Sequence, residues 1–251
     1  MTNKYLSYDA QRAPHVRALF SRIAGRYDLV NDVMSFGLHR RWKRQTVELA
    51  LRGLVARGTA RSHAQDRPKT RVLDLCCGSG DLSFLAEDGG AGTVVGADFT
   101  LPMLAVARRR KIAAVRRSVF VQADALGLPF PDGSFDVITI GYGLRNIADI
   151  PAALAEMRRV LAPGGRAVVL DFGKPSNPLA GALYGAFLHT MMPAVGWIFH
   201  GDPDTYLYIP ESLKRFPAQR GVEKLMREAG FARVWFEERL LGTMGINVGE
   251  A

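Results

Sequence analysis

Val72-Leu73-Asp74-Leu75-Cys76-Cys77-Gly78-Ser79-Gly80-Asp81, followed by Val94-Val95-Gly96-Ala97-Asp98, decides the fold. Residues 72–75 are a short apolar run between Lys69-Thr70-Arg71 and a glycine turn, the pattern of a buried parallel strand. Gly78 and Gly80 let the chain turn tightly and bring its backbone close to a ligand. A second apolar run over 93–97 is closed by Asp98, 18 residues after Gly80, close to the spacing at which nucleotide-binding sheets set an acid on the ribose hydroxyls.

A dinucleotide fingerprint needs a third glycine where this chain has Ser83, and Asp74 and Asp81 beside the turn would repel a pyrophosphate. A cationic nucleoside without phosphate suits these acids, which favours S-adenosylmethionine, with its ammonium and sulfonium, over NAD. The plainer alternative is that Asp74 and Asp81 cap a helix over 82–87.

Working outward, residues 119–123 read as a third strand ending at Asp124-Ala125, a carboxylate and a backbone amide suited to adenine. A proline-glycine turn over 128–136 leads into a fourth strand, 137–140, whose end at Gly141-Tyr142-Gly143 opens at the carboxyl edge of the sheet, where ligands bind. Residues 161–166 end a helix and lead into a fifth strand over 167–171. After a helix closed by Gly230, 234–236 and 240–248 supply two more, the last as an antiparallel edge strand. The alternation predicts an α/β, doubly wound sheet of seven strands with helices on both faces.

Length and 48% hydrophobic content fit one domain over all 251 residues. Within it we distinguish a basic helical extension (1–70), a donor-binding half (71–173), an apolar insert (174–215) and a closing helix with strands (216–251). Residues 1–71 hold 15 Lys and Arg against 5 Asp and Glu, a net of +10, and the remainder has a net of −1. The Arg40-Arg41-Trp42-Lys43-Arg44 cluster would be drawn to anionic headgroups, although a solvated helix face carries the same pattern. The 27 residues 175–201 lack any charged side chain. Pro178 and Pro193 argue against a membrane span, and two short helices covering the site are expected, their Met and aromatic side chains suiting a greasy channel.

The N-terminus shows no apolar signal region. Cys76 and Cys77 are too close for an ordinary disulfide and fit a reducing compartment. His15, His39, His63, His189 and His200 show no ligand spacing, so no metal is expected. Residues 58–70 read as a loop, and no internal repeat is evident.

Several segments carry a resemblance: Arg26-Tyr27-Asp28-Leu29-Val30-Asn31-Asp32, Met34-Ser35-Phe36-Gly37, His39-Arg40-Arg41-Trp42-Lys43, the glycine loop, Gly143-Leu144-Arg145-Asn146-Ile147 and Tyr206-Leu207-Tyr208-Ile209-Pro210-Glu211-Ser212. Over most of its length the chain resembles the ubiquinone/menaquinone biosynthesis C-methyltransferases, class I S-adenosylmethionine-dependent enzymes with a Rossmann-like sheet. The resemblance implies methyl transfer from S-adenosylmethionine to a ring carbon of a polyprenylated quinol, with demethylmenaquinol to menaquinol foremost. It places Ser79, Asp98, Asp124, Ala125 and Gly141 on the donor, and we add Asp74, Gly78, Gly80 and Phe99 to the donor-binding set. Position 141 is often serine in the family, and the family's usual ending, histidine then Gly-Tyr-Lys, is replaced by Asn247-Val248-Gly249-Glu250-Ala251.

The stretch holding Arg145 and Asn146 looks like the family's catalytic segment. Methylating a quinol carbon requires a neighbouring hydroxyl to lose its proton. A permanently charged guanidinium cannot act as an ordinary base, so Arg145 is expected to steady the oxyanion and orient a water, with Asn146 and Tyr27 as hydrogen-bonding partners. The alternative for Arg145 is a surface ion pair with Asp149. Expected partners are the quinol, a peripheral membrane surface on the inner face of the cell membrane, and a second copy in a homodimer; the expected location is cytoplasmic. A nucleic-acid methyltransferase would show an Asn-Pro-Pro-Tyr type tetrapeptide where this chain has Gly141-Tyr142-Gly143-Leu144, so no nucleic acid is expected. A methyltransferase for RNA or another small molecule, and a non-catalytic donor-binding module, remain as alternatives.

Overall fold

The computed structural model describes residues 12–54 and 70–251. The start of the basic extension and all of the expected 58–70 loop except Thr70 lie outside the described residues. The chain opens with helices α1 (Arg12–Ile23), α2 (Tyr27–Ser35) and α3 (Leu38–Leu51), a 3-10 turn at Ala24–Arg26 joining the first two. Then follow β1 (Arg71–Leu75), α4 (Asp81–Asp88), β2 (Thr93–Asp98), α5 (Leu101–Ala113), β3 (Val119–Gln122), β4 (Phe135–Gly141), α6 (Ile150–Val160) and β5 (Leu161–Phe172). The rest is α7 (Pro178–His200), α8 (Asp204–Arg215), α9 (Ala218–Glu228), β6 (Arg233–Arg239) and β7 (Met244–Glu250).

All seven strands join one sheet in the order β3-β2-β1-β4-β5-β7-β6, as the strand-helix alternation predicts. β1 lies parallel between β2 and β4, with Leu73 opposite Val95 and Ile138. Alternation along β1 divides the core. Leu73 and Leu75 join α1 and α6 residues such as Leu19, Leu154 and Met157, while Val72 meets Trp42 and Ala50 of α3 and Ile246 of β7 on the other face. Each such fully buried Leu or Ile contributes roughly 1.5–3 kcal/mol of apolar transfer. The N-terminal helices are therefore part of the core.

Two expectations need correction. β7 is an interior strand, antiparallel to both β5 and β6, and β6 takes the edge. The Gly245, Asn247, Gly249 side of β7 reads as a solvent face but receives α9. A Cβ at Gly245 would come within 2.7 Å of the Gln219 Cβ, one at Gly249 within 2.6 Å of the Met226 Cε, and Asn247 Nδ2 donates to the Gln219 carbonyl at 2.8 Å.

The apolar insert, in turn, forms one continuous 23-residue helix, α7, running through Pro193, before the shorter α8. Leu188, Met192 and Val195 recur at helical spacing and are buried, which holds the helix together across the proline. Gly196 serves packing: a Cβ there would lie 2.6 Å from the Asp202 carbonyl oxygen at the entry to α8. The turn residue is Gly201, at φ +64°.

Candidate active site

The sheet edge builds the first of two clefts. After β1, Cys76 (φ 52°), Gly78 (φ 54°) and Gly80 (φ 89°) all take the left-handed region, which folds the chain back within five residues. The Cys77 N–H donates to the Ala97 carbonyl at 3.1 Å and the Gly78 N–H to Asp98 Oδ2 at 2.9 Å, tying this turn to the end of β2. The Thr100 N–H donates to the other Asp98 oxygen at 2.8 Å. Each oxygen thus keeps a free lone pair, enough for a pair of vicinal hydroxyls. Burial raises the Asp98 pKa, opposed by the N–H groups of Thr100 and Gly78.

Gly78, Asp98, Phe99, Asp124, Ala125 and Gly141 line this cleft, which has about 800 Å³ of free space including its open mouth. A buried carboxylate with open lone pairs, the Phe99 ring and the Asp124-Ala125 pair beside the β1–β4 switch point fit an adenosine-bearing ligand. Gly141 leaves room for Leu82, whose Cδ1 would lie 2.8 Å from an added Cβ.

Asp74, Ser79 and Gly80 stand outside the lining. Asp74 is buried, accepts from the Ser83 N–H at 2.9 Å and the Ser83 hydroxyl at 2.7 Å, and is reached by the Thr139 hydroxyl at 3.2 Å. Burial pushes its pKa up to about 7 against those hydrogen bonds. These contacts, like those of a cap, tie the first turn of α4 to β1 and β4. Ser79 donates to Asp28 of α2 at 2.8 Å. The Asp81 charge is matched by Lys43 at 2.6 Å and Arg110 at 2.7 Å; burial raises its pKa, but Lys43 and Arg110 together outweigh burial and bring it to about 2.

The second cleft lies under α7 and has about 1370 Å³ of free space, mouth included. Its walls are apolar, from Met34, Phe172, Phe187, Leu188 and Met192 among others, and Arg145 is its principal charge. Tyr142, at φ 60°, turns the chain off β4 into the 3-10 segment Leu144–Asn146. Arg145 Nη1 donates to Asp171 Oδ1 at 2.8 Å and to the Tyr142 carbonyl at 2.6 Å, and Nη2 donates to the Tyr208 hydroxyl at 3.2 Å. The Arg145 backbone N–H meets the other Asp171 oxygen at 3.1 Å, and both side chains are only 3% exposed. Burial works against the guanidinium charge, but Asp171, Tyr208 and Tyr27 together outweigh it and keep it protonated.

The Arg145 Nε–H finds no partner among the described residues, and neither does Asn146 Oδ1 or the Tyr142 or Tyr184 hydroxyl. Buried polar groups without partners are uncommon, and these surround one place. Tyr27 and Tyr142 line both clefts and form the boundary between them. Burial raises the Tyr27 pKa to about 12, opposed by Arg145.

The fold therefore brings Arg145, Asn146 and Tyr27 to one junction but divides their faces: Asn146 lines the first cleft, Arg145 the second, and Tyr27 both. Asp149 does not pair with Arg145; it caps α6 by accepting from the Ala152 N–H at 2.9 Å. The groups orienting Arg145 are Asp171 and Tyr208, which the sequence reading did not single out. Asp171 carried a signal, an acid at the carboxyl end of a central strand, and Tyr208 lay inside a segment quoted for the resemblance. Cys76 and Cys77 are free thiols whose pKa burial raises, and Cys76 lines the donor cleft.

A sheet of this strand order with a nucleoside-sized cleft beyond its carboxyl edge defines the S-adenosylmethionine-dependent methyltransferase fold. It is shared with such a methyltransferase from Thermotoga maritima (18% identity, TM-score 0.57, 93% of this chain and 98% of that one). It is also shared with phosphoethanolamine N-methyltransferase 2 of Haemonchus contortus, solved with phosphomonomethylethanolamine and S-adenosylhomocysteine (19% identity, TM-score 0.52, 77% and 42% coverage). The chain belongs to the ubiE/COQ5 methyltransferase family, whose model matches residues 7–250. It is 44% identical over 92% of its length to the demethylmenaquinone methyltransferase of Thermus thermophilus, covering 99% of that protein. It is 43% identical over 96% of its length to a ubiquinone/menaquinone biosynthesis C-methyltransferase of Ectopseudomonas mendocina, covering 90% of that protein.

Proposed function

We propose that the chain methylates a ring carbon of a polyprenylated quinol with S-adenosylmethionine as donor, and that demethylmenaquinol is the preferred acceptor. The observation that carries this reading is the meeting of a diol-binding cleft and an apolar cleft at Tyr27 and Tyr142, with a buried arginine beside the junction. The names of the relatives at 44% and 43% identity support the acceptor class.

When bound, the donor supplies an electrophilic methyl carbon on a sulfonium. Asp98 would hold the ribose diol, and Phe99, Asp124 and Ala125 would hold the adenine. The acceptor ring enters from the apolar cleft with its hydroxyl toward Arg145. The guanidinium has used three of its five N–H groups on Asp171, Tyr142 and Tyr208, and the remaining two stabilise the phenolate oxygen as its proton leaves to water; the ring carbon that gains the methyl group then loses its hydrogen as a proton, and the oxygen is reprotonated. Asp171 and Tyr208 fix the plane of that guanidinium, and the apolar walls exclude bulk water and hold the ring in line with the methyl group. The protein acts in the cytoplasm at a membrane surface, where such an acceptor resides; the basic first 71 residues and the apolar outer face of α7 support that placement.

The test is incubation of purified protein with methyl-labelled donor and both demethylated quinols in detergent, followed by mass analysis of the lipid. Label on the naphthoquinol ring is expected. Transfer to neither quinol would end the proposal, and preference for the benzoquinol would change the acceptor assigned.

A further inference from the structure

The mouth of the apolar cleft is built from three segments far apart in the chain: the turn between α2 and α3, the outer face of α7, and the 3-10 turn Leu240–Gly242 between β6 and β7. Each segment points a large apolar side chain into solvent at the rim. Phe36 is 76% exposed, Leu183 65%, Leu240 57% and Leu241 78%, and all four also line the cleft. Three of them occupy strained backbone: Phe36 at φ 50°, Leu240 at φ 47° and Leu241 at φ 56°, a region bulky L residues seldom enter. Such strain persists where surrounding structure holds it, and it clusters at functional positions. Here it displays the side chains outward, while the turns themselves are held by hydrogen bonds from the Gly37 N–H to the Asp32 carbonyl at 2.9 Å and from the Thr243 N–H to the Leu240 carbonyl at 3.1 Å.

Charge surrounds the same rim. α3 begins there, with Leu38 and Trp42 lining the cleft. It exposes Arg40, Arg41 and Arg44; Arg40 is paired with Asp32 and, with Arg44, lines a neighbouring cleft that also holds Asp28, Asp81 and Asp88, while Arg41 and Arg44 form no ion pair among the described residues. Arg239, next to Leu240, donates from Nε to Gln45 Oε1 of α3 at 3.0 Å, joining the basic helix to the apolar turn.

We infer that this rim docks on an anionic lipid bilayer, with Phe36 and Leu240-Leu241 entering the interface and the α3 arginines meeting headgroup phosphates. The inference rests on the reading of the substrate as a polyprenylated lipid and adds the surface through which that lipid enters. Apolar tips beside a basic helix face are the chemistry of an interfacial anchor. A second copy of this chain fits the patch less well, because a two-fold axis through the patch would set two basic α3 faces close together. Docked in this way, the cleft opens directly into the acyl layer, and a long isoprenoid tail need not leave the membrane.

The experiment is vesicle co-sedimentation of the full chain, using phosphatidylcholine alone and phosphatidylcholine mixed with phosphatidylglycerol, at low and high salt. Binding is expected on the mixed vesicles and to weaken with salt. The double variant Arg41→Glu/Arg44→Glu should lose about tenfold or more in vesicle affinity while still methylating a tail-less quinol in solution at the parent rate. Leu240→Ser/Leu241→Ser should lose vesicle affinity even at high salt, where the charge contribution is screened. Vesicle affinity unchanged in both double variants overturns the docking surface, as does a chain dimer that Leu241→Ser dissolves. A parent protein that binds vesicles through these residues but methylates no quinol would leave the surface standing and fault the acceptor instead.

Discussion

The two clefts meet at Tyr27 and Tyr142, yet they are built differently. The first cleft, proposed for the donor, comes mainly from strand ends and the turns that follow them, closed by Val16, Phe20 and Tyr27 of the N-terminal helices, and its Asp98 carboxylate is fixed by backbone N–H groups. The second cleft, proposed for the acceptor, adds α2, α3, α7, α8 and the Leu240–Gly242 turn to Tyr142, Phe172 and Met244 from the sheet, with one charge held by a buried pair. A ligand common to every member of a fold is served by geometry the sheet itself creates. A particular substrate must be served by elements added around that sheet.

The strongest way to break this division is to remove the buried charge. Arg145→Ala is expected to lower kcat about 100- to 1000-fold, the usual result of losing an oxyanion donor. It should also destabilise the chain by about 3–5 kcal/mol, because Asp171 is left buried without a partner. Donor affinity by calorimetry should stay within about twofold, since Arg145 lies on the other cleft; a large loss there would show that the clefts are one site. Asp98→Asn is the complementary experiment. Losing a charged acceptor, at about 1.5–3 kcal/mol, should weaken donor binding by roughly 10- to 100-fold, with quinol affinity unchanged.

Gly143→Ala probes the junction. A Cβ there would lie 2.5 Å from the Cys76 Cβ, so overpacking of about 1–3 kcal/mol should appear as a lower denaturant midpoint. The smallest effect concerns Asp81, whose charge Lys43 and Arg110 already match. Asp81→Asn should leave the donor Kd within about twofold, because a neutralised acid adds little field at the cleft. Its pKa of about 2 lies below the unfolded value, so its stabilisation is present above pH 4 and fades as the pH falls through 2. Melting temperatures across that range should therefore fall less steeply in the variant than in the parent.

The Asp81 case shows how far local reading extends. Acids beside the glycine turn suggested a cationic ligand, but their partners, Lys43 of α3 and Arg110 of α5, are 38 and 29 positions away and no local pattern connects them. Asp74 shows the same limit: it anchors Ser83 and Thr139 and does not line the cleft. By contrast, Asp98, Phe99, Asp124, Ala125 and Gly141 were legible because a strand end followed by a turn puts its residues at the carboxyl edge wherever the strand sits. The β7 misplacement has its own cause. A Gly-x-Asn-x-Gly face exposes little apolar surface, so it resembles a solvent face until α9 is seen to require those small residues.

By itself the sequence determined the alternating sheet, the residues at its open carboxyl edge and the family, because strand periodicity, glycine turns and short motifs act over a few neighbouring residues. Only the tertiary structure decided that Asp171 and Tyr208 hold Arg145, that α7 runs unbroken over the second cleft, and that Phe36 and Leu241 share its rim. Those facts depend on which distant surfaces meet, and packing between elements far apart in the chain leaves no local signature.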